Sequence, residues 1–201
     1  AAVFGIWHAR RPGPLGECAV TAFYGSLAAA AADTAGTEIG TRWGGQPRSI
    51  ATGRRTISGA SGSVTLAGLA ASVVVSLAMA AAAHPGATNR QVRAISCAAG
   101  GFAGSLTDSL LGALIQEQRW CESCCVSTEL PVHTCGDHTQ HHSGMPAVTN
   151  DMVNLLSGLA GGLAAVAVAA ALPKLTQCNG SRVEFVTTLT SSRLPRDFGA
   201  P

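Results

Sequence analysis

Two carboxylates and a basic, glycine-rich turn share one polar segment of this chain. Asp33 and Glu38 stand at its start, and Arg54 and Arg55 precede a Ser-Gly-Ala-Ser-Gly-Ser turn that ends at Ser63. Carboxylate and phosphate oxygens are the ligands that Mg²⁺ prefers. Glycine-rich turns before a helix offer free backbone N–H groups to phosphate, and arginines add charge-assisted hydrogen bonds. These residue types predict a site for a magnesium-bound phosphate group, such as that of a nucleotide.

The geometry of this segment depends on where the preceding helix ends. On an unbroken helix, the step from Asp33 to Glu38 would turn the second carboxylate about 140° away from the first. We expect Gly36 and Gly40 to break the helix, so that both carboxylates face one site. Two alternatives stay open, an ordinary acidic loop around Asp33 and a helix-capping role for Ser63. The predicted phosphate-binding residues are Gly40, Gly44, Arg54, Arg55, Thr56, Gly59, Gly62 and Ser63.

A third carboxylate, Asp108, lies inside an otherwise apolar segment further along the chain. Carboxylates within membrane segments are costly and usually functional, so Asp108 is a candidate catalytic residue. The alternative is a buried Asp108 that bonds to Ser105, Thr107 or Ser109 on its own helix. Polar residues at neighbouring helix ends are predicted to bind substrate or to cap those helices; they are Ser109, Gln116, Asn150, Asp151 and Asn154.

Cysteines and histidines concentrate in a second polar segment. Cys121-x-x-Cys124 followed by His133-x-Cys135 supplies four soft ligands at the spacing of a tetrahedral zinc ribbon. Disulfide bonds and an unligated loop are the two alternatives. The sequence predicts a zinc site but leaves its ligand set open, because further candidates lie nearby, namely Cys125, His138, His141 and His142.

Composition indicates the class of protein that positions these residues. Only 12% of residues are charged and 4% are aromatic, whereas 47% are apolar. Soluble proteins carry about 25% charged residues. We therefore predict an all-α, multi-span membrane protein, the alternative being a soluble alanine-rich helical protein. Four stretches reach the roughly 20 residues that a membrane helix needs, and these are residues 15–32, 63–83, 92–116 and 152–173.

The remaining segments complete the predicted organisation. Residues 1–14 form a basic N-terminal segment, and residues 15–173 form a membrane domain with polar loops at 33–62 and 117–150. Four spans place both loops on one side of the membrane, which we assign to the cytosol because nucleotides and reduced cysteines occur there. Residues 174–201 are expected to be a disordered tail, with a short strand as the alternative. The chain begins with Ala-Ala-Val and has no cleavable signal peptide, so we expect upstream helices to be missing. The net charge of +2 gives no indication of nucleic-acid binding.

Five blocks of sequence occur in an order that resembles the transmembrane protein 19 family. They are AADTxxTEIG, PRxIxT, SGxxGxVTxxG, GSLTDSLLGAxxQ and NDMVNLLS, and the resemblance extends from about residue 28 to about residue 163. This family of multi-helix membrane proteins includes plant phytyl-phosphate kinase. The first loop is also similar to the nucleotide region of CTP-dependent membrane enzymes, the phosphatidate cytidylyltransferases and the dolichol or phytol kinases.

The resemblance implies an enzyme that transfers a phosphoryl group from CTP or another nucleoside triphosphate to an isoprenoid monophosphate in the membrane. It implies that Asp33 and Asp108 hold Mg²⁺, and that Glu38 holds the metal or orients the acceptor. Arg55 and residues 56–63 would bind the phosphates of the donor.

The chain also departs from the pattern of the family. Ala35-Gly36 stand where Trp-Ala is usual, and residues 59–63 replace a usual Gly-Thr-Asn-Gly-Gly. The second change keeps the backbone of the turn but removes the threonine and asparagine side chains. A nucleotidyltransferase that acts on a lipid phosphate and a non-catalytic membrane protein are therefore the alternative functions.

Overall fold

The fold is mostly helical, as the sequence predicts. The computed structural model describes residues 14–82 and 90–191, and the side chains within 15–82 and 90–172. These described residues form four helices and two small sheets. In chain order the elements are α1 (Pro14–Trp43), β1 (Arg48–Ser49), β2 (Ser63–Val64), α2 (Leu66–Ala82), α3 (Arg90–Leu114), β3 (Gln118–Cys121), β4 (Val126–Thr128), β5 (Gln140–Ser143) and α4 (Asn150–Ser191).

The packing of the helices is the reverse of that in a soluble protein. Buried positions hold small residues such as Ala28, Ala32 and Ala165, each 0% exposed. Large aliphatic side chains point outward instead, and Leu66 and Leu163 are 87% and 71% exposed. Soluble proteins bury such side chains, whereas membrane helices pack through small residues. The bundle therefore presents an apolar outer surface suited to lipid.

Glycines set the crossing of α1, α3 and α4. A Cβ atom on Gly100 would lie 2.5 Å from the carbonyl oxygen of Gly161 and 2.8 Å from the Cβ atom of Ala165. A Cβ atom on Gly161 would lie 2.7 Å from the Cβ atom of Ala29. Gly104, one turn after Gly100, also faces Ala29. Because glycine has no side chain, the three backbones approach closely, and this contact fixes where the helix ends lie.

The predicted helix break at Gly36 and Gly40 is wrong, because α1 continues without interruption to Trp43. Both glycines lie against α2 instead. A Cβ atom on Gly36 would collide with the Ser72 hydroxyl, and one on Gly40 would lie 3.0 Å from the Thr65 hydroxyl. Close packing of α1 on α2, rather than a change of chain direction, accounts for these glycines.

The longer α1 changes the place of the first two carboxylates. Asp33 and Glu38 are helical residues, not members of the loop predicted at residues 33–62. That loop occupies residues 44–65 instead. The direction of both side chains is therefore set by a packed helix and not by a loop.

The start of α2 also differs from the prediction of a span over residues 63–83. Ser63 pairs with Ser49 in the short sheet of β1 and β2, so it cannot cap the helix. Thr65 is the cap, because its Oγ1 accepts a hydrogen bond of 3.1 Å from the backbone N–H of Gly68. The capping role considered for Ser63 is wrong.

Among the described residues, two helices are long and apolar enough to cross a membrane. They are Leu15–Trp43 and Asn150–Leu172. The apolar helix α2 has 17 residues, and α3 begins with Arg90 and carries Arg93. Length and composition therefore single out the first and last of the four predicted spans.

The last helix is longer than the sequence suggests. α4 continues to Ser191, past the end predicted at Pro173, so the segment predicted as a disordered tail begins as helix. A proline removes one helical hydrogen bond and bends a helix without having to end it. Residues 1–13 and 192–201, which include most of the predicted N-terminal segment and the end of the predicted tail, lie outside the described residues.

A three-stranded antiparallel sheet follows α3, with the strand order β4-β3-β5. We call residues 118–143 the ribbon. Its first hairpin places Arg119 opposite Thr128 and Cys121 opposite Val126. The hairpin therefore leaves the end of α3, turns near the first two cysteines and returns to where it began.

Candidate functional site

A cleft of about 320 Å³ opens where the four helices meet the two loops. It brings together residues that are far apart in the sequence. The predicted site residues that line it are Asp33, Glu38, Gly40, Gly59, Gly62, Ser63, Asp108, Ser109, Gln116, Asn150 and Asn154.

Two carboxylates from different helices face this cleft. Asp33 lies on α1 and Asp108 on α3, and they are close enough to interact electrostatically. The Oγ of Ser157, on α4, donates a hydrogen bond of 3.0 Å to Oδ2 of Asp108. The hydrogen bond that orients Asp108 thus comes from α4, not from the hydroxyls of its own helix that the sequence suggested. The acidic pair is held by three helices.

Buried polar groups share the cleft with these carboxylates. The Ser72 Oγ donates to the carbonyl oxygen of Ala32 at 2.9 Å and lies 3.2 Å from the Ser105 Oγ. Gln116, just after α3, is only 3% exposed, and its Nε2 lies near the Glu129 carboxylate without making a hydrogen bond of normal geometry to it or to any other described residue. An unpaired buried donor costs about 1–3 kcal/mol. An oxygen of a bound ligand would satisfy it.

Residues 58–63, which we call the glycine turn, form one side of the cleft. Gly59 and Gly62 have φ angles of 81° and 72°, which residues with a side chain rarely adopt. The N–H of Ile50 donates to the carbonyl oxygen of Gly62 at 3.0 Å. Gly62 also lies so close to Ala113 of α3 that a Cβ atom would overlap it. These contacts hold the turn against α3.

Some predicted site residues lie outside the lining of the cleft, and these are Gly44, Arg54, Arg55, Thr56 and Asp151. The side chains of Arg54 and Arg55 are exposed. The backbone N–H of Thr56 donates to the carbonyl oxygen of Pro47 at 3.1 Å, which stabilises the loop. Asp151 lies in the first turn of α4, where an acidic residue favours the helix dipole. Phosphate binding by these residues stays a prediction.

Glu129 lines the cleft, although sequence reasoning missed it. It follows β4 directly and lies near the side chains of Gln116, Ser61 and Asp108. Partial burial raises the pKa of its carboxyl group, Gln116 and Ser61 oppose this shift, and the Asp108 carboxylate adds to it. The Cys-x-x-Cys pair could have revealed the position, because a turn at these cysteines brings the following residues back toward α3.

The charges in the cleft are all of one sign. Its four carboxylates belong to Asp33, Glu38, Asp108 and Glu129, and its described lining contains no Lys, Arg or His. Such a site repels a bare phosphate anion and attracts a divalent cation. It suits a cation, or a phosphate group that arrives with one.

A second cluster lies in the ribbon, where the ligand atoms of Cys121, Cys124, His133 and Cys135 are all within 4.8 Å of one another. The sulfur atoms of Cys121 and Cys135 are 3.7 Å apart, and Nδ1 of His133 lies 3.3 Å from the Cys135 sulfur. Around a tetrahedral zinc ion, such ligand atoms are about 3.4–3.8 Å apart. Every described cysteine is free, so no disulfide joins these residues. The other candidates, Cys125, His138, His141 and His142, lie outside the cluster.

Hydrogen bonds distinguish the thiols of this cluster. The backbone N–H of Asp137, and then the His133 ring, lower the pKa of the Cys135 thiol to about 7. The hydrogen bond with Cys135 raises the pKa of the Cys124 thiol to about 11. One thiolate is therefore favoured near neutral pH, whereas several neighbouring thiolates require a cation.

Comparison with known proteins identifies the class of this molecule. Residues 2–162 match the model of the family described as integral membrane protein DUF92. The chain belongs to this family. The searches of curated proteins and of solved structures gave no match. The predicted membrane location of this DUF92 protein is confirmed, and its two long apolar helices agree with it.

Proposed function

We propose that this DUF92 protein is a lipid kinase that transfers a phosphoryl group from CTP or another nucleoside triphosphate to an isoprenoid monophosphate. The observation that carries the proposal is the meeting of Asp33 and Asp108 in a polar cleft at one end of an apolar bundle. Such a site lets a phosphate group react while its hydrocarbon chain stays in lipid. The resemblance to the transmembrane protein 19 family, with its phytyl-phosphate kinase, supports this choice of acceptor.

In this proposal all four helices cross the membrane. The ends of α1 and α3 and the starts of α2 and α4 all line the cleft, as an up-and-down bundle with both loops on one side requires. The 17 residues of α2 are at the lower end of the range of about 17–25 for a membrane helix. The cleft then lies at one membrane surface, which we assign to the cytosol.

The donor groups of the cleft fit Mg²⁺, because they are carboxylate, hydroxyl and amide oxygens. Asp33 and Asp108 would hold the ion, and Glu38 would hold it or orient the acceptor. When bound, Mg²⁺ would neutralise charge on the phosphate groups of the donor. The all-acidic lining supports this reading, since a triphosphate could enter only with its cation.

The residues of the cleft then act mainly by positioning two phosphate groups. An oxygen of the lipid monophosphate attacks the γ-phosphorus, the bond to the bridging oxygen breaks, and the nucleoside diphosphate leaves. The attacking oxygen is largely ionised at neutral pH, because the second pKa of a phosphate monoester is about 6. The Gln116 amide and the glycine turn can donate N–H groups to phosphate oxygens, and the helix-end amides of Asn150 and Asn154 lie beside them.

The size of the cleft separates the polar part of the substrates from the lipid tail. Its volume of about 320 Å³ is near the lower limit of roughly 300–1,000 Å³ for small-molecule sites. The phosphate groups fit this space and a long isoprenoid chain does not. The tail would lie on the outer face of α4, where Leu155, Leu159 and Leu163 are 63%, 43% and 71% exposed.

The decisive test is phosphoryl transfer by the full-length protein in proteoliposomes. The vesicles receive Mg²⁺, CTP or ATP, and one of a panel of isoprenoid monophosphates, and the release of nucleoside diphosphate is measured. Asp33→Asn is expected to lower the rate by about 100-fold or more, the scale reached when a group that stabilises transition-state charge is lost. Glu17→Gln is the matched control, because Glu17 is an exposed carboxylate on the same helix that pairs with Arg93 outside the cleft.

The mass of the lipid product distinguishes the alternatives. One added phosphoryl group supports the kinase, and an added nucleotide would mean that the same site belongs to a nucleotidyltransferase. If the folded protein consumes no nucleotide with any acceptor, the enzyme proposal is wrong and a non-catalytic membrane protein remains.

A further inference from the structure

The ribbon places one of its own carboxylates, that of Glu129, at the cleft between the helices. β3 begins at Gln118, close to the end of α3, and β4 returns antiparallel to it with Arg119 opposite Thr128. The next residue, Glu129, is therefore back at the level where β3 began, beside Gln116. A slip of one residue in this register would turn the carboxylate away.

Side-chain hydrogen bonds fix the chain just after Glu129. The Oγ1 of Thr139 donates to the carbonyl oxygens of Leu130 and Pro131 at 2.6 and 3.0 Å. Arg119 in turn donates from Nε to the Thr139 Oγ1 at 2.8 Å. These bonds connect the residues after Glu129 to β3, and the pairing of β4 with β3 connects the residues before it.

The Cys/His cluster joins the two ends of the same segment. Cys121 ends β3 and Cys124 lies in the hairpin turn before Glu129, whereas His133 and Cys135 belong to the turn after it. A single ion bound by all four side chains would close this segment into a loop. The position of Glu129 would then depend on that ion.

The ribbon has almost no apolar core that could hold the Glu129 segment in place without an ion. Among its residues only Cys121 and Thr139 are buried, at 0% and 5% exposure. A small sheet without a core needs a disulfide, a metal or a partner element to be stable. Its described cysteines are free, and the ligand atoms of Cys121, Cys124, His133 and Cys135 already lie within 4.8 Å of one another. A structural zinc site is the remaining source of stability within the ribbon.

We propose that Cys121, Cys124, His133 and Cys135 bind one zinc ion, and that this ion holds the Glu129 carboxylate over the cleft. Binding releases the thiol protons to solvent and transfers no electrons. The zinc site stands independently of the lipid kinase function, whereas the use of Glu129 for a cation in the cleft rests on that proposed function.

Metal analysis of the full-length protein in detergent tests the zinc site. One zinc ion per chain is expected in the wild type, and Cys121→Ser is expected to lose it. Cys125→Ser is the matched control and is expected to keep zinc, because Cys125 lies in the same turn but outside the cluster. Replacement by Co²⁺ should give the visible absorption of a tetrahedral thiolate site. A wild-type protein that holds neither metal would overturn the proposal.

Hydrogen exchange tests whether zinc positions Glu129 without relying on any activity. Exchange of the backbone amides of residues 126–132 is measured before and after zinc is removed with a chelator. We expect exchange in this segment to increase on removal and to return when zinc is added, while residues 96–112 of α3 stay protected. Unchanged exchange in residues 126–132 would mean that zinc does not hold Glu129.

Binding of Mn²⁺, followed by its electron spin resonance signal, connects the ribbon to the cleft. Glu129→Gln and zinc removal are each expected to weaken Mn²⁺ binding by about tenfold, as loss of a supporting group does. The two together should have no larger effect than either alone, and Glu122→Gln, an exposed carboxylate of the ribbon, should have none. If the wild type takes up zinc but no Mn²⁺, either alone or together with CTP or ATP, the proposed function fails, and hydrogen exchange alone decides the position of Glu129. If Glu129→Gln and zinc removal both leave the Mn²⁺ affinity at the wild-type value, the role of Glu129 is contradicted.

Discussion

The glycine turn and the ribbon both line the cleft, but the first contributes backbone groups and the second contributes a charged side chain. The glycine turn follows Arg54 and Arg55 in the sequence but brings backbone to the cleft, since both arginines are exposed and outside its lining. The ribbon carries cysteines and histidines but brings the Glu129 carboxylate. The turn that precedes a side chain determines whether that side chain lies in the cleft. Its distance in the sequence from a motif does not. The cleft is consequently acidic where the sequence predicted a basic side.

Among the changes that test this comparison, the largest effect is expected when the glycine turn loses its contact with α3. In Gly62→Ala, the left-handed backbone costs about 1–2 kcal/mol, and the new methyl group also overlaps Ala113. We expect the turn to leave the cleft and lipid-phosphate-dependent nucleotide consumption to fall by well over tenfold. The rate and the thermal unfolding midpoint of the purified protein are the measurements.

Gly59→Ala is the matched control for this prediction. Gly59 has the same left-handed backbone, but a Cβ atom there would meet nothing within 4 Å. It should show the backbone cost alone and keep most of the activity. Equal losses in the two variants would mean that contact with α3 does not position the turn.

A smaller effect is expected from the hydroxyl that orients Asp108. Ser157→Ala removes the hydrogen bond of 3.0 Å to the Asp108 carboxylate, and we expect Mn²⁺ binding and the transfer rate to fall by about tenfold. Ser157→Thr, which keeps a hydroxyl, should recover part of the loss. Ser26→Ala is the control, because the Ser26 hydroxyl donates to the Gly158 carbonyl oxygen of the same helix α4, but at its interface with α1 and outside the cleft. A cleft that functions normally without the Ser157 hydroxyl would show that Asp108 is positioned by other contacts.

The sequence predicted well those features that depend on local pattern. Alanine-rich stretches predicted helices. The Cys-x-x-Cys and His-x-Cys pairs predicted a zinc site, and the structure brings their ligand atoms within 4.8 Å of one another, while zinc binding itself stays a prediction. Asp108 was predicted as a site residue because a carboxylate in an apolar segment needs a partner, and Asp33 because it shares a polar segment with Glu38 and the glycine-rich turn. Each of these inferences used residues that lie near one another in the chain.

The features that were missed depend on contacts between distant segments. Gly36 and Gly40 read as a helix break in the sequence, and only the approach of α2 explains why the helix continues. The sequence pattern favours Ser63 as a helix cap, whereas the structure pairs it with Ser49 in a sheet. Glu129 was missed because its place in the cleft depends on the register of the ribbon, whereas the Cys-x-x-Cys pair indicates only where the ribbon turns.

A small, pH-dependent effect is expected at the base of the ribbon. Burial alone would raise the pKa of Glu117, but hydrogen bonds from Arg119 and from the backbone N–H of Ala147 outweigh it and lower the pKa below the ordinary 4.5. A carboxylate with a lowered pKa in the folded state stabilises the protein above its unfolded pKa, and this contribution is lost as the pH falls through the lowered value. Glu117→Gln should therefore unfold at a lower temperature than the wild type at pH 7, and the gap should close below pH 4.5. A gap that stays constant across this range would mean that the ionised carboxylate contributes nothing.

The smallest effect tests the comparison between the two segments directly. Replacing Arg54 and Arg55 together by alanine is expected to change Mn²⁺ binding and the transfer rate by less than about twofold, because exposed charges outside a site act only through screened, long-range attraction. Any remaining effect should disappear as the salt concentration rises. A large loss that persists at high salt would mean that the loop of residues 44–65 closes on the bound nucleotide and carries its arginines to the phosphates. The acidic cleft would then be the open state of a site whose positive side comes from the glycine turn after all.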